Sequence, residues 1–403
     1  MVGSPDRFTE KPPRAVDVVI VGAGLIGLAT GWKLVESSVS TCIIDPAPMS
    51  GASKVGAGML APVTEVHYGE ISLLRLNLES ARMYPQFLEE LAQVSGIDPD
   101  YRPGGILLVA KDGDDKATLD ELAKYQRSLG LDAEVVKASE CRELEPLLSP
   151  SLRGGVYAKS DATIDNRKLG EALIEAATQC GASIVRRKAK EVVISKDRAR
   201  GVLLEGGDRI EAARVILAAG CYSAQVGGVP PESVPPVRPV KGQLMIMAKP
   251  PLAPPISMTV RGLVHGRTVY LVSRSDGRVV VGGTVEEMGY DARVTAGAIL
   301  DLLRDAYELI PAIVEYEIKE MLAGLRPGSP DNAPLIGESG IEGLIYATGH
   351  FRNGILLTPA TAYAVAKIVR EGRPPDYATQ FSPLRFYKSS LTATEAFRNS
   401  GAQ

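Results

Sequence analysis

The 403-residue chain has little of what metal, disulfide or histidine chemistry requires. Its four cysteines, Cys42, Cys141, Cys180 and Cys221, lie far apart with no CxxC spacing. That excludes a zinc knuckle and a disulfide framework, and suits thiols in a reducing compartment. Three histidines, His67, His265 and His350, fall at no spacing from which a metal cluster or a Ser-His-Asp triad can be assembled, so no metal is expected. Charge of one sign is also lacking: 45 Lys and Arg against 48 Asp and Glu leave a net −3, which offers no footprint for nucleic acid or an anionic membrane. The stretch most open to misreading as a span or a signal segment, residues 16–35, is broken by Asp17, Lys33 and glycines. No internal repeat is present, and low complexity is confined to two Pro-rich connectors, 229–236 and 249–255. What remains, 45% hydrophobic and 23% charged, is the composition of a globular protein of two or three domains, expected in the cytoplasm. Residues 1–14 and 389–403 read as disordered.

What is present begins near the start. The apolar run Val16-Asp17-Val18-Val19-Ile20-Val21 leads into Gly22-Ala23-Gly24-Leu25-Ile26-Gly27, and a helix-forming run follows. The first glycine permits a tight strand-to-helix turn, the second lets backbone approach a pyrophosphate, and the third lets the helix pack on the strand. The helix then offers its positive end to the phosphates. A second strand-like run, Thr41-Cys42-Ile43-Ile44, ends on Asp45, 18 residues past Gly27, close to where a carboxylate accepts from ribose hydroxyls. The motif leaves FAD and NAD open, and Asp45 argues only against NADP.

Helical spacing is expected over 72–95, 166–179, 295–309 and 359–370. Residues 215–220 and 344–349 are short apolar runs ending on Gly, as buried parallel strands would be. Residues 240–247 read as a strand, and 269–273 with 279–283 as a hairpin. The fold class is therefore α/β, with an α+β part: a Rossmann-like dinucleotide domain from separated segments, 15–95, 150–228 and 325–375, and a mixed or antiparallel-sheet substrate domain from 96–149 and 229–324.

Three further segments carry a resemblance: Ala57-Gly58-Met59-Leu60-Ala61-Pro62, Gly324-Leu325-Arg326-Pro327-Gly328-Ser329-Pro330-Asp331 and Gly349-His350-Phe351-Arg352-Asn353-Gly354-Ile355-Leu356-Leu357. Over residues 16–370 the chain resembles the D-amino-acid-oxidase superfamily of FAD-dependent amine oxidases, and within it the ThiO-type glycine oxidases of thiamine biosynthesis. The resemblance implies non-covalent FAD, since the C-terminal third has no cysteine for a covalent link. It also implies glycine and O2 as substrates, peroxide as product, and an imine that feeds thiazole synthesis or hydrolyses to glyoxylate and ammonia. A functional link to thiazole synthase and a homo-oligomer follow from it.

The same resemblance assigns cofactor contacts to Gly22, Gly24, Leu25, Ile26, Gly27, Asp45, Pro46, Ala52, Ser53, Ala57, Gly58 and Met59, to Lys190 through its backbone, and to His350, Phe351, Arg352, Asn353, Gly354, Ile355 and Leu356. Arg326 and Arg352 would clamp the substrate carboxylate with Tyr270, as a guanidinium fork suits a carboxylate. Thr358 is a good N-cap and Pro359 suits a first helical position, so a helix there would aim its dipole at the reduced flavin. No side chain is singled out as catalytic, and His350 reads more readily as structural. Pro46 stands where many flavoproteins have a basic residue. Val285 stands where some members have a Met near the substrate pocket, leaving room for D-alanine or sarcosine. A D-amino-acid or sarcosine oxidase or dehydrogenase of the same fold is the nearest alternative; an NAD-dependent dehydrogenase and a flavin-binding protein without turnover are the others.

Overall fold

In the computed structural model of the chain, residues 7–387 are described. The runs apolar on both faces become the centre of an eight-stranded sheet, in the order Leu335–Glu338, Leu344–Thr348, Arg209–Leu217, Ala15–Val21, Thr41–Ile44, Ser183–Val185. The five pairings along it are parallel except the first, with Val19 opposite Val215 and Cys42. Val19, Ile20, Cys42 and Ile43 are fully buried, as a parallel sheet covered on both faces demands. Ala189–Ser195 and Arg198–Leu204 add an antiparallel extension to Arg209–Leu217. Helices Leu25–Glu36, Ile71–Ser95, Asn166–Gln179 and Thr358–Glu371 pack together around Trp32, Tyr84 and Phe87.

The second eight-stranded sheet runs Glu317–Gly328, Arg238–Ala248, Arg278–Gly282, Arg267–Ser273, Thr259–Val264, Ile106–Ala110, Gly155–Ala158, Glu134–Val136. It is antiparallel save for the pairing of Thr259–Val264 with Ile106–Ala110. Its residues alternate, so one face (Met245, Leu271, Val281) packs on helix Ala296–Leu309. The other face (Leu244, Val272, Val280) meets Ala57 and Val55 of the segment that follows the first sheet's second strand.

This is the expected mixed α/β architecture. Three details differ. Gly155–Ala158, expected with the dinucleotide part, pairs with Ile106–Ala110 in the second sheet; a four-residue apolar run carries no mark of which sheet it joins. Within the leader, Thr9 donates to the Ile184 carbonyl and accepts from Arg186, and Arg186 stacks 3.8 Å from the Phe8 ring, so residues 7–14 are held against the sheet edge rather than disordered. Residues 1–6 and 388–403, which include the expected disordered tail 389–403, lie outside the described residues. Thr358 is the first helical residue and not the cap; its hydroxyl donates to Gly354 O at 3.0 Å. All four cysteines are free, and no described helix is long and apolar enough to cross a membrane.

Candidate active site

Between the two sheets lies a cavity of about 590 Å³. Its floor is backbone. Gly22 has φ +113°, and a Cβ there would fall 2.5 Å from Ala218 O; one at Gly27 would fall 1.9 Å from Gly22 O. Substitution therefore drives backbone against backbone, which no rotamer relieves. Helix Leu25–Glu36 opens at Gly24 with no acid in its first turn, so its positive end faces the cavity uncompensated. Ser53 Oγ accepts from Leu25 N–H at 3.1 Å. Asp45 accepts from Ala23 N–H at 2.7 Å and Ala47 N–H at 2.8 Å, tying the glycine turn to the end of the second strand. Across from it, Gly58 has φ +80° and a Cβ there would meet Ile164 O at 1.9 Å. Arg274, buried in the hairpin of the second sheet, donates to Ala57 O at 2.6 Å and fixes this loop from behind. Glycine turns on two sides, an open helix terminus and apolar walls from Leu25, Ile26, Met59 and Ile355 fit a dinucleotide carrying a large planar ring.

At the C-terminal turn the cavity is lined by His350, Phe351, Arg352, Gly354 and Ile355, not by the start of helix Thr358–Glu371. The first amides of that helix are taken locally: Thr358 N–H donates to Ile355 O and Ala360 N–H to Ser80 Oγ. The start of that helix therefore stands just behind the cavity wall and does not itself line it. His350 is 3% exposed with Nε2 2.9 Å from Thr361 Oγ1, and burial pushes its imidazole down to about 3. It is neutral at working pH and braces the turn.

The other end of the cavity is built from side chains. Arg326 Nη1 donates to Thr284 O at 3.0 Å and Lys241 O at 3.3 Å, and its guanidinium lies over Gly242, where a Cβ would come within 2.2 Å of it. Among the described residues it has no carboxylate partner. Tyr270 packs its phenol against Gly282 and Gly283. Burial raises its pKa, and the nearby Arg326 charge opposes the rise. Arg352 differs: its guanidinium is ion-paired to Glu70, which also accepts from Asn332 Nδ2 at 3.1 Å, and its Nε is buried without a partner.

Of the residues expected here, Gly22, Gly24, Leu25, Ile26, Asp45, Pro46, Ala52, Ser53, Ala57, Gly58, Met59, Tyr270, Arg326, His350, Phe351, Arg352, Gly354 and Ile355 line the one cavity. Gly27 lies under the turn, and Asn353 and Leu356 are buried behind it. Lys190 is off the cavity, its carbonyl accepting from Gly227 N–H at 3.0 Å, while Lys188 and Ala189 line the wall. Val285 is 68% exposed and away from the cavity, so it makes no extra room there. Sequence reasoning passed over Glu65, Tyr222 and Gln243, which also line it. Tyr222 follows a strand that ends on Gly, a usable signal; an isolated acid such as Glu65 reads as a solvated residue. Among the described residues no cluster of His, Cys, Asp and Glu could hold a metal.

The FAD dependent oxidoreductase family model matches residues 17–368. The chain belongs to this family. FAD is accordingly the cofactor, and the two glycine turns and the terminus of helix Leu25–Glu36 are suited to hold it. A relative named glycine oxidase, from Geobacillus kaustophilus, is 33% identical over 357 residues, 88% of this chain and 92% of that protein. The crystal structure of glycine oxidase from that organism superposes with a TM-score of 0.83 at 31% identity, covering 92% of this chain and 98% of that one. The bifunctional protein ThiO/ThiG of Synechocystis is 32% identical over 375 residues, 92% of this chain. The chain spans about half the length of that relative, 54% of it.

Proposed function

We propose that this FAD-dependent oxidoreductase oxidises glycine. The carrying observation is Arg326, a half-buried guanidinium in the cofactor cavity that has no carboxylate partner among the described residues. Such a fork takes a carboxylate bidentately, and the Tyr270 phenol beside it supplies a further donor. Arg352 adds positive charge, tempered by Glu70. When bound, without a covalent link, FAD supplies the two-electron acceptor for the α-carbon hydride and is reoxidised by O2 to give peroxide. The chain's own contribution is to hold the α-carbon in place, so catalysis rests on positioning and electrostatics.

The imine is assigned to thiazole synthesis, or to hydrolysis to glyoxylate and ammonia. A relative named ThiO/ThiG and others named glycine oxidase support this reading, and the four free thiols support a cytoplasmic setting. The test is to mix the purified protein anaerobically with glycine, follow the flavin's visible absorption, then admit air and assay peroxide. Bleaching with recovery and peroxide is expected. Bleaching without recovery on aeration assigns a dehydrogenase, and a spectrum moved only by D-alanine or sarcosine reassigns the substrate.

A further inference from the structure

An α-amino acid arrives at neutral pH as a zwitterion, and its nitrogen must lose a proton before the α-carbon gives up a hydride. The cavity described so far receives only the carboxylate. Among the residues lining it, two carry carboxylates, Asp45 and Glu65. Asp45 is engaged at the cofactor end by the amides of Ala23 and Ala47. Glu65 lines the same cavity as Tyr270, Arg326 and Arg352, with its side chain 14% exposed. Its ion-pair partner among the described residues is Arg261 at 3.5 Å, an arginine that already donates to Thr64 O at 2.7 Å. No hydrogen bond from a described residue ends on the Glu65 carboxylate. Meanwhile the turn beneath it is rigid: Asp161, fully buried, accepts from Val63 N–H at 3.0 Å and from the Thr64 amide and hydroxyl at 2.8 Å each. A carboxylate held on a fixed turn, facing the cavity with unused acceptor capacity, is a receptor for a cation.

Resting on the reading of an amino-acid substrate, we propose that Glu65 is the amine pole of the site, receiving the substrate ammonium and taking its proton. One N–H bond breaks as the Glu65 O–H bond forms, with no change of oxidation state. The freed lone pair becomes the second C–N bond when the α-hydrogen leaves with its electron pair for the flavin. The charged groups around it are Arg261 on strand Thr259–Val264, Arg326 on Glu317–Gly328, Arg352 on the C-terminal turn, Glu70 in its own segment and Asp161 beneath, and the Tyr270 phenol is neutral. His67, exposed in the same segment, is held below its ordinary range by partial loss of solvation and by the Arg352 charge, and so adds no competing cation near neutrality.

The test compares glycine with glycolate, which has the carboxylate but no ammonium. In Glu65→Gln, anaerobic flavin reduction by glycine near neutrality should fall roughly 100-fold, the lower bound for a positioned acid–base group. The rate should climb about tenfold per pH unit as free amine becomes available, while glycolate still perturbs the flavin spectrum with wild-type affinity. Glu65→Asp, which keeps the carboxylate, should recover part of the rate with the wild-type pH profile. Unchanged reduction in Glu65→Gln, or loss of glycolate binding in parallel with it, would overturn the proposal. A wild-type flavin that glycine does not reduce refutes the glycine reading instead, and the comparison then uses the amino acid that does reduce it.

Discussion

The glycine turn at 22–27 and the strand carrying Arg326 close the same cavity by opposite means. At the first, backbone lines the cavity: glycines, a helix terminus and one carboxylate that ties the turn to its neighbouring strand. At the second, side chains from four separated stretches converge, Glu65, Tyr270, Arg326 and Arg352, and each depends on what stands behind it. Backbone recognition tolerates almost any side chain nearby but no Cβ at Gly22 or Gly27, where it would press on backbone. Side-chain recognition is graded, and its strength is set by competing partners.

The sharpest way to break that contrast is at the cofactor end. Gly27→Val should purify colourless, because the added atoms press on Gly22 O and the helix can no longer seat against the strand. Gly24→Ala is milder: its Cβ would meet the Ser53 hydroxyl at 2.9 Å, a side chain that can turn aside, so FAD should be retained with weakened affinity. Absorbance of the purified proteins near the flavin band decides both. A yellow Gly27→Val protein with normal FAD affinity would show that backbone closeness is not what holds the cofactor.

At the substrate end the two arginines should not be equal. Arg326→Ala removes a guanidinium with no carboxylate partner and should cost roughly 2–5 kcal/mol of carboxylate binding, the range for truncating one partner of a desolvated pair. Arg352→Ala, made together with Glu70→Gln so that no bare carboxylate is left behind, should cost clearly less, since Glu70 already occupies that guanidinium. Titrating each variant with glycolate and reading the flavin spectrum gives both values. Equal losses would mean that the Glu70 pair opens when substrate enters.

These differences also explain what could be read beforehand. The glycine turn, Asp45 and helix Asn166–Gln179 are specified by residues close in sequence, through turn geometry and apolar period, and they stand where the sequence puts them. Tyr270 and Arg326 were legible only through resemblance; that Gly242 leaves space for the guanidinium follows from strand register, which no local pattern encodes. The Glu70 partner of Arg352 and the inward turn of Glu65 depend on how segment 61–70 folds back over the second sheet, with Asp161, almost a hundred residues away, holding it. Lys190 missed the wall by one residue, because alternation along a strand reverses facing at every step.

The smallest expected effect lies where the two ends meet. His350 is a side chain in the cavity wall, yet it behaves like scaffold: neutral, 3% exposed and bonded to Thr361. Its folded pKa of about 3 lies below the ordinary 6.5, so the unfolded chain binds a proton that the fold refuses. The stability this contributes is present above pH 6.5 and is lost as pH falls toward 3, by at most about 1.4 kcal/mol per pH unit, or roughly 2 kcal/mol between pH 7 and 5. Asp161 pulls the other way, since burial pushes its carboxyl up to about 6 and the fold holds the proton longer. The readout is therefore the difference between wild type and His350→Gln in denaturant unfolding at the two pH values. Wild type should lose up to about 2 kcal/mol more than the variant. Parallel curves would mean that His350 takes up a proton in the folded protein, and it would then belong with the side-chain chemistry of the substrate end rather than with the scaffold of the cofactor end.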